Sequence, residues 1–124
     1  MTFLESVQTV FSKYAVFSGR ATRPEYWWWV LFNVIVSVVT DIIDGAIIAP
    51  LLGFGMYSSD AADPLGWISA LVLLVPSIAV SARRLHDIGR SGWWLLLMFL
   101  PIIGWLILLY WHIQPTAPGQ NEYG

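Results

Sequence analysis

The residues of this sequence that could do chemistry are mostly arginines, and they fall in two short stretches. Residues 17–25 precede one apolar segment, and residues 82–94 lie between two others. Arginine guanidinium groups bind phosphate through paired hydrogen bonds, and basic pockets beside membrane helices hold anionic headgroups. The pattern therefore predicts a site for an anionic lipid headgroup or a phosphate. Its candidate residues are Arg20, Arg23, Glu25, Arg83, Arg84, His86, Asp87 and Arg90.

The same charges have two other interpretations. Arg83 and Asp87 are four residues apart on a helix and can pair, and Arg23 and Glu25 can form an ion pair or a helix cap. Basic residues are also required at the cytoplasmic ends of membrane helices, whether or not anything binds to them. A surface that docks another membrane protein is the remaining interpretation. The sequence leaves all three open.

Neither catalysis nor a cofactor is predicted. His86 and Asp87 suggest acid–base chemistry, but no Ser or Thr nucleophile has a recognisable motif nearby. Glu25 would complete only a sparse set of zinc ligands with them. The sequence has no Cys, which excludes disulfides and thiolate centres. His86 and His112 are expected at opposite membrane faces, which disfavours a haem held by both. We therefore expect a protein that is not an enzyme.

A second polar pair, Asp41 and Asp44, lies near the end of an apolar segment. The two carboxylates are three residues apart and share a helix face. Acidic side chains within a membrane helix are candidates for a proton or cation site, as in a channel or transporter. The alternative is that water or the following loop solvates them at the helix end.

Composition indicates the class of protein that must position these residues. The chain has 124 residues, of which 57% are hydrophobic and only 11% are charged. Its mean hydropathy is +0.67. Soluble domains carry about 25% charged residues, so a soluble enzyme and a disordered chain are both excluded. The net charge of −2 argues against nucleic-acid binding.

Apolar segments and their caps predict a single all-α membrane domain with three spans. The expected spans are residues 24–44, 64–88 and 92–113, each about 30 Å or more in length. Asp63 before Pro64 is the expected N-cap of the second span, and Gly45 and Gly89 are the expected ends of the first two.

The remaining segments are too short or too polar to span. Residues 3–17 alternate at helical spacing and begin with a Thr2–Glu5 capping box, which predicts an amphipathic helix on the membrane surface or docked against the cytoplasmic turn. Residues 46–57 contain Pro50 and two glycines, so we expect an interfacial or re-entrant segment. Residues 114–124 form a short polar tail.

The distribution of charge predicts the orientation. All six basic residues precede the first span or lie between the second and third, and residues 41–63 carry only acidic charges. The positive-inside rule therefore puts the N-terminus in the cytoplasm and, with three spans, the C-terminus outside. Trp93 and Trp94 are expected at the inner interface, and Trp67, Tyr110 and Trp111 at the outer one.

Two motifs resemble a known family. The stretch from Phe17 to Trp28, FSGRATRPEYWW, and the stretch from Ala82 to Trp94, ARRLHDIGRSGWW, resemble the bacterial membrane-protein family called domain of unknown function 805. The closing residues 118–124, PGQNEYG, are similar to its final motif. The resemblance covers nearly the whole chain and implies a small multi-pass protein of the bacterial inner membrane. It implies no activity.

Three functions remain as hypotheses. The first is a membrane module that binds anionic phospholipid or phosphate through the arginines. The second is a subunit or regulator that docks another membrane protein, and the third is a homo-oligomeric channel or transporter that uses Asp41 and Asp44. A chain of this length cannot easily enclose a pore alone, so transport would require several copies or a partner.

Overall fold

The computed structural model describes residues 1–124 and contains helices but no strands, which confirms the predicted all-α class. It contains two compact units, Met1–Trp29 with Val75–Gly124, and Val30–Leu74. In chain order the elements are α1 (Phe3–Ser12), α2 (Arg23–Ile43), a π-helical stretch (Asp44–Ile48), α3 (Ala49–Leu51), α4 (Pro64–Asp87), a 3₁₀ helix (Gly92–Phe99) and α5 (Ile103–His112).

Two helices are long and apolar enough to cross a membrane. One is continuous over Arg23–Leu51, with 29 residues, and the other is α4, with 24 residues. At 1.5 Å per residue they measure about 44 and 36 Å, against a hydrocarbon core of about 30 Å. Two of the three predicted spans therefore have helices of suitable length.

The first of these helices does not end at Gly45 as predicted. The π-helical stretch carries it past this glycine to Leu51, so the first part of the 46–57 segment is helical. Gly45 is needed for packing instead: a Cβ there would lie 2.1 Å from the Tyr57 ring, and the Tyr57 N–H donates to the Gly45 carbonyl at 2.9 Å. A glycine that accommodates a ring has the same sequence signature as one that ends a helix.

A third spanning helix over residues 92–113 is not confirmed, because this segment folds back on itself. The 3₁₀ helix Gly92–Phe99 and α5 are joined by a γ-turn in which Ile102 has φ +69° and the Ile103 N–H donates to the Pro101 carbonyl at 2.8 Å. The two arms meet again at their far ends, where the Trp94 and Trp111 rings lie 5.6 Å apart. We call residues 92–112 the hairpin.

Close backbone packing holds the two arms of the hairpin together. An added Cβ at Gly104 would lie 1.8 Å from the Leu97 carbonyl oxygen, so no other residue fits there without movement. Pro101 has no N–H to continue a helix through the turn. The apolar run of residues 92–113 has a length that fits one span and also a hairpin of two shorter arms, so length alone could not distinguish them.

The predicted start of α1 and the predicted end of α4 are confirmed. Thr2 Oγ1 accepts a hydrogen bond from the Glu5 N–H at 3.2 Å, which begins α1. The Gly89 and Arg90 N–H groups donate to the carbonyls of His86 and Leu85, and Gly89 has φ +81°, the geometry of a Schellman end to α4.

Helix α1 is shorter than the predicted 3–17 and packs by one face on the start of α2. Phe3 contacts Trp28 and Phe11 contacts Trp29, with ring centroids 5.8 and 5.2 Å apart. Its face of Ser6, Val7 and Val10 is buried, while Leu4 is exposed. A position of α1 on the membrane surface stays a prediction.

Candidate functional site

The predicted polar residues come together where three segments of the first unit meet. These segments are residues 17–25, the last turn of α4 and the tail of residues 113–124. The Ala21 N–H donates to the Arg83 carbonyl at 2.9 Å, and the Ala117 N–H donates to the Asp87 carbonyl at 3.1 Å. The last four carbonyls of a helix have no partner within it, so the tail satisfies that of Asp87, while the Ala21 contact joins residues 17–25 to the preceding turn. We call the eight predicted residues at this place the arginine cluster.

Arg20 is the residue that ties the tail to the cluster. Its guanidinium makes five hydrogen bonds, which matches its full set of N–H donors. Nε donates to Asp87 Oδ1 at 2.8 Å, and the terminal nitrogens donate to the Asp87 carbonyl and to those of Ala117, Gly119 and Gly124. Arg20 is therefore a structural clamp, with no donor left for a ligand.

Asp87 balances two guanidinium groups at once. Oδ1 accepts from Arg20 and Oδ2 accepts from Arg84 Nη1, each at 2.8 Å, and its side chain is only 2% exposed. Arg84 is fully buried and donates further to the carbonyls of His112 and Gln114. The predicted pairing of Arg83 with Asp87 is replaced by pairing with Arg84, which is three residues away.

Arg83 pairs instead with Glu25. Its Nη1 donates to Glu25 Oε1 at 2.9 Å, and the side chains are 0% and 4% exposed. The Arg83 Nε and Nη2 atoms are buried without a hydrogen-bond partner. A buried, paired guanidinium with unused donors stabilises the folded protein less than a fully bonded one does, because each buried donor without a partner costs about 1–3 kcal/mol.

His86 is engaged by the chain on three sides. Its Nδ1 lies 2.9 Å from the Gly19 carbonyl oxygen, and its ring is stacked on Tyr123 at a centroid distance of 3.9 Å and an angle of 1°. Asn121 donates to the His86 carbonyl at 2.9 Å. Partial desolvation and the adjacent Glu122 raise the pKa of the Tyr123 hydroxyl, so this ring is neutral at physiological pH. These contacts are those of a packed structural histidine.

Arg23 and Arg90 are the exposed members of the cluster. Arg23 makes one hydrogen bond, from Nη1 to the Ile113 carbonyl at 3.2 Å. The Arg90 guanidinium lies over the Trp111 ring, 4.2 Å from its centroid, which is a cation–π contact. Both side chains are exposed beside the open end of the hairpin, which is the end where Trp94 and Trp111 meet.

The tail lies against residues 17–25, where Arg20 donates to the carbonyls of Ala117, Gly119 and Gly124. The side of a membrane on which each terminus lies stays a prediction. His112 and Trp111 likewise lie at the arginine cluster, near Arg84 and Arg90, and not at an opposite face. The cause is the hairpin, which returns the chain to the level where it started. Gly119, Asn121 and Tyr123 were missed as cluster residues, although the closing motif was a signal for them.

The second polar pair lies in the other unit, at the start of α4. The Asp44 carboxylate accepts from the N–H groups of Leu65 and Gly66 at 3.1 and 2.9 Å, and the residue is only 3% exposed. Asp41 is exposed and lines, with Asp44, Tyr57 and Asp63, a cavity of about 260 Å³. Asp44 thus occupies the capping role predicted for Asp63.

Replacing Asp44 by alanine is expected to loosen the first turn of α4. Losing an N-cap costs about 0.5–2 kcal/mol, which corresponds to amide exchange about 2- to 30-fold faster at Leu65 and Gly66. Hydrogen exchange measured by mass spectrometry or NMR reports this directly. Asp63→Ala is the matched control and should change these amides less. A larger effect of Asp63→Ala would restore the cap predicted from sequence.

No group of three His, Cys, Asp or Glu side chains is arranged to hold a metal ion. The polar side chains of the arginine cluster instead form ion pairs and hydrogen bonds to backbone carbonyls. Two apolar helices of spanning length, with an arginine-rich polar end, fit the class of small α-helical membrane proteins.

The chain belongs to the family described as protein of unknown function (DUF805), whose model matches residues 14–124. It is 38% identical to inner membrane protein YhaH of Escherichia coli K12 over 115 residues, 93% of this chain and 89% of that protein. It is 40% identical to inner membrane protein YhaI of the same strain over 119 residues, 94% of this chain and 89% of that protein. No solved structure matches. The resemblance found in the sequence is confirmed, and the relatives are proteins of the bacterial inner membrane.

Proposed function

We propose that this protein is a non-enzymatic module of the inner membrane whose arginine cluster faces the cytoplasm and binds anionic phospholipid headgroups through Arg23 and Arg90. The observation that carries the proposal is a difference in burial and pairing among the arginines of the cluster. The buried arginines are paired with carboxylates and carbonyls, whereas these two are exposed and have donors to spare.

The charge of the cluster supports the same proposal. Five arginines stand against two carboxylates, Glu25 and Asp87, and both carboxylates are bonded to other arginines. The charges of Arg23 and Arg90 are therefore not neutralised within the cluster. The cytoplasmic leaflet is anionic and attracts each basic residue near its surface by about 1 kcal/mol. The positive-inside rule gives the same orientation.

Aromatic side chains mark the depth at which this binding would occur. Trp27 Nε1 donates to the His112 carbonyl at 3.2 Å, and Trp111 lies under Arg90. Tryptophan prefers the headgroup region of a bilayer, because its ring is apolar and its N–H is polar. Arg23 and Arg90 are attached beside these rings, so their guanidinium groups would lie where phosphates are.

The capping of α4 bears on the channel hypothesis. That hypothesis depended on Asp41 and Asp44, and the Asp44 carboxylate is engaged with two backbone N–H groups. We therefore do not propose transport. Docking on another membrane protein stays a prediction, and it is one outcome of the test below.

The test compares lipid binding by wild type and the Arg23→Gln/Arg90→Gln variant. Protein in nanodiscs of defined composition would be titrated with spin-labelled phosphatidylglycerol and phosphatidylcholine. We expect wild type to prefer phosphatidylglycerol and the variant to lose up to about thirty-fold of that preference, because two contacts of about 1 kcal/mol are removed. Competition with inorganic phosphate separates a general phosphate site from a headgroup site.

Lys13→Gln is the control, since Lys13 is also exposed but lies outside the cluster. An equal loss in this variant would mean that net charge alone attracts the lipid, which contradicts a site at Arg23 and Arg90. An unchanged preference in the double variant would also reject the proposal, and would leave these arginines as a contact surface for a protein.

A further inference from the structure

The outer surface of the hairpin is apolar and exposed along its whole length. Trp93, Phe99, Ile102 and Ile103 are 79%, 74%, 66% and 67% exposed. No Asp, Glu, Lys or Arg occurs from residue 91 to residue 121. A contiguous apolar surface of this kind is not stable in water and must be covered.

The length of the hairpin fits one leaflet of a bilayer. Its first arm has eight residues in a 3₁₀ helix, or about 16 Å at 2.0 Å per residue. Its second arm has ten residues in an α-helix, or about 15 Å. Half of the hydrocarbon core is also about 15 Å, so the turn at Pro101–Ile102 would reach the bilayer centre and no further.

Three backbone N–H groups near the tip donate within the hairpin. The N–H groups of Leu100, Ile103 and Gly104 donate to the carbonyls of Leu97, Pro101 and Leu100 at 2.8–3.0 Å. Trp105 Nε1 donates to the Met98 carbonyl at 2.7 Å. A turn can enter hydrocarbon only if its polar groups find such internal partners, since lipid offers none. Pro101 contributes no N–H that would need one.

The open end of the hairpin has the opposite character. Arg90 and Trp111 are in contact, Trp94 lies beside Trp111, and the carbonyls of His112 and Gln114 accept from Arg84. Aromatic rings, an exposed guanidinium and ordered carbonyls are the groups found at the water interface of a membrane protein. Polarity therefore falls along the hairpin from its open end to its tip.

From this gradient we infer that the hairpin is embedded in a single leaflet, the one next to residues 17–25, so that the chain crosses the membrane twice and both termini lie in the cytoplasm. The partner of this surface is the hydrocarbon of that leaflet. The inference does not depend on headgroup binding by Arg23 and Arg90, since an embedded hairpin needs no specific lipid.

The experiment uses the absence of cysteine from the chain, which makes every single-cysteine variant unambiguous. Lys13→Cys, Ser59→Cys and Thr116→Cys each place a thiol at an exposed position. A membrane-impermeant maleimide would be added to spheroplasts and to inverted vesicles. We expect Ser59→Cys to react only in spheroplasts, and Lys13→Cys and Thr116→Cys to react only in inverted vesicles. Reaction of Thr116→Cys in spheroplasts would overturn the inference.

A second measurement tests the depth of the tip. A fluorophore on Ile102→Cys should be quenched strongly by lipids brominated near the chain ends, and one on Ile113→Cys only by lipids brominated near the headgroup. If Ile102→Cys is not quenched and instead crosslinks to a second copy, the surface is an interface between protomers. That result would overturn the single-leaflet inference even with both termini inside, while leaving the lipid-preference test unaffected.

Discussion

Replacing Asp87 by asparagine is expected to destabilise the protein by about 3–5 kcal/mol, because it leaves two guanidinium groups without their shared carboxylate. Asp87 accepts from Arg20 and Arg84 at 2.8 Å each, and it is almost completely buried. Asparagine has the same size, so the effect is one of charge and not of packing. The free energy of unfolding can be measured in detergent by equilibrium denaturation.

Asp41→Asn provides the matched control for this measurement. It makes the same chemical change at an exposed carboxylate, and exposed substitutions usually stay within about 0.5 kcal/mol. A double variant with Arg84→Gln should be less destabilised than the sum of the single variants, since the two residues interact directly. Equal stability of Asp87→Asn and Asp41→Asn would contradict the assignment of Asp87 as the centre of the cluster.

Replacing Gly104 by alanine is expected to open the hairpin. Alanine ordinarily stabilises a helix by about 1 kcal/mol relative to glycine, so helix propensity alone predicts a gain. At this position the new Cβ would lie 1.8 Å from a backbone carbonyl, and a backbone atom cannot move aside as a side chain can. We expect the free energy of unfolding to fall by about 3 kcal/mol, which is the upper end of the usual cost of overpacking.

The sign of the change is therefore the informative quantity. Gly55→Ala is the control, because nothing lies within 4 Å of its added Cβ. Hydrogen exchange at the Gly104 and Leu106 amides should become faster in Gly104→Ala and stay unchanged in Gly55→Ala. A stabilised Gly104→Ala protein would show that the two arms are not in close contact.

Features that depend on residues close together in the sequence were predicted correctly. The Thr2–Glu5 capping box and the end of α4 at Gly89 depend on neighbouring residues, and both are confirmed. The gathering of residues 17–25 with the end of α4 followed from charge, because both stretches had to lie on the same side of a membrane. The family was evident from the motifs in those stretches.

Features that depend on distant contacts were missed. Asp44 caps a helix that begins 20 residues later, and Gly45 is required by the ring of Tyr57. The position of the tail beside residues 17–25 was unconstrained by charge, since residues 91–121 contain no charged side chain for the positive-inside rule to use. Only the turn at Pro101 and Ile102 decides it, and an apolar run shows no such turn in its hydropathy.

The clamp made by Arg20 also has a consequence during translation, because its partners are made at different times. Three of its carbonyl partners, in residues 117–124, are separated from it by 97 to 104 positions, so they are made well after it. Chains are produced from the N-terminus at about 5–20 residues per second, so Arg20 waits several seconds or more for these partners. During that interval water must solvate the guanidinium donors that these carbonyls later accept from, because an unpaired buried guanidinium is costly.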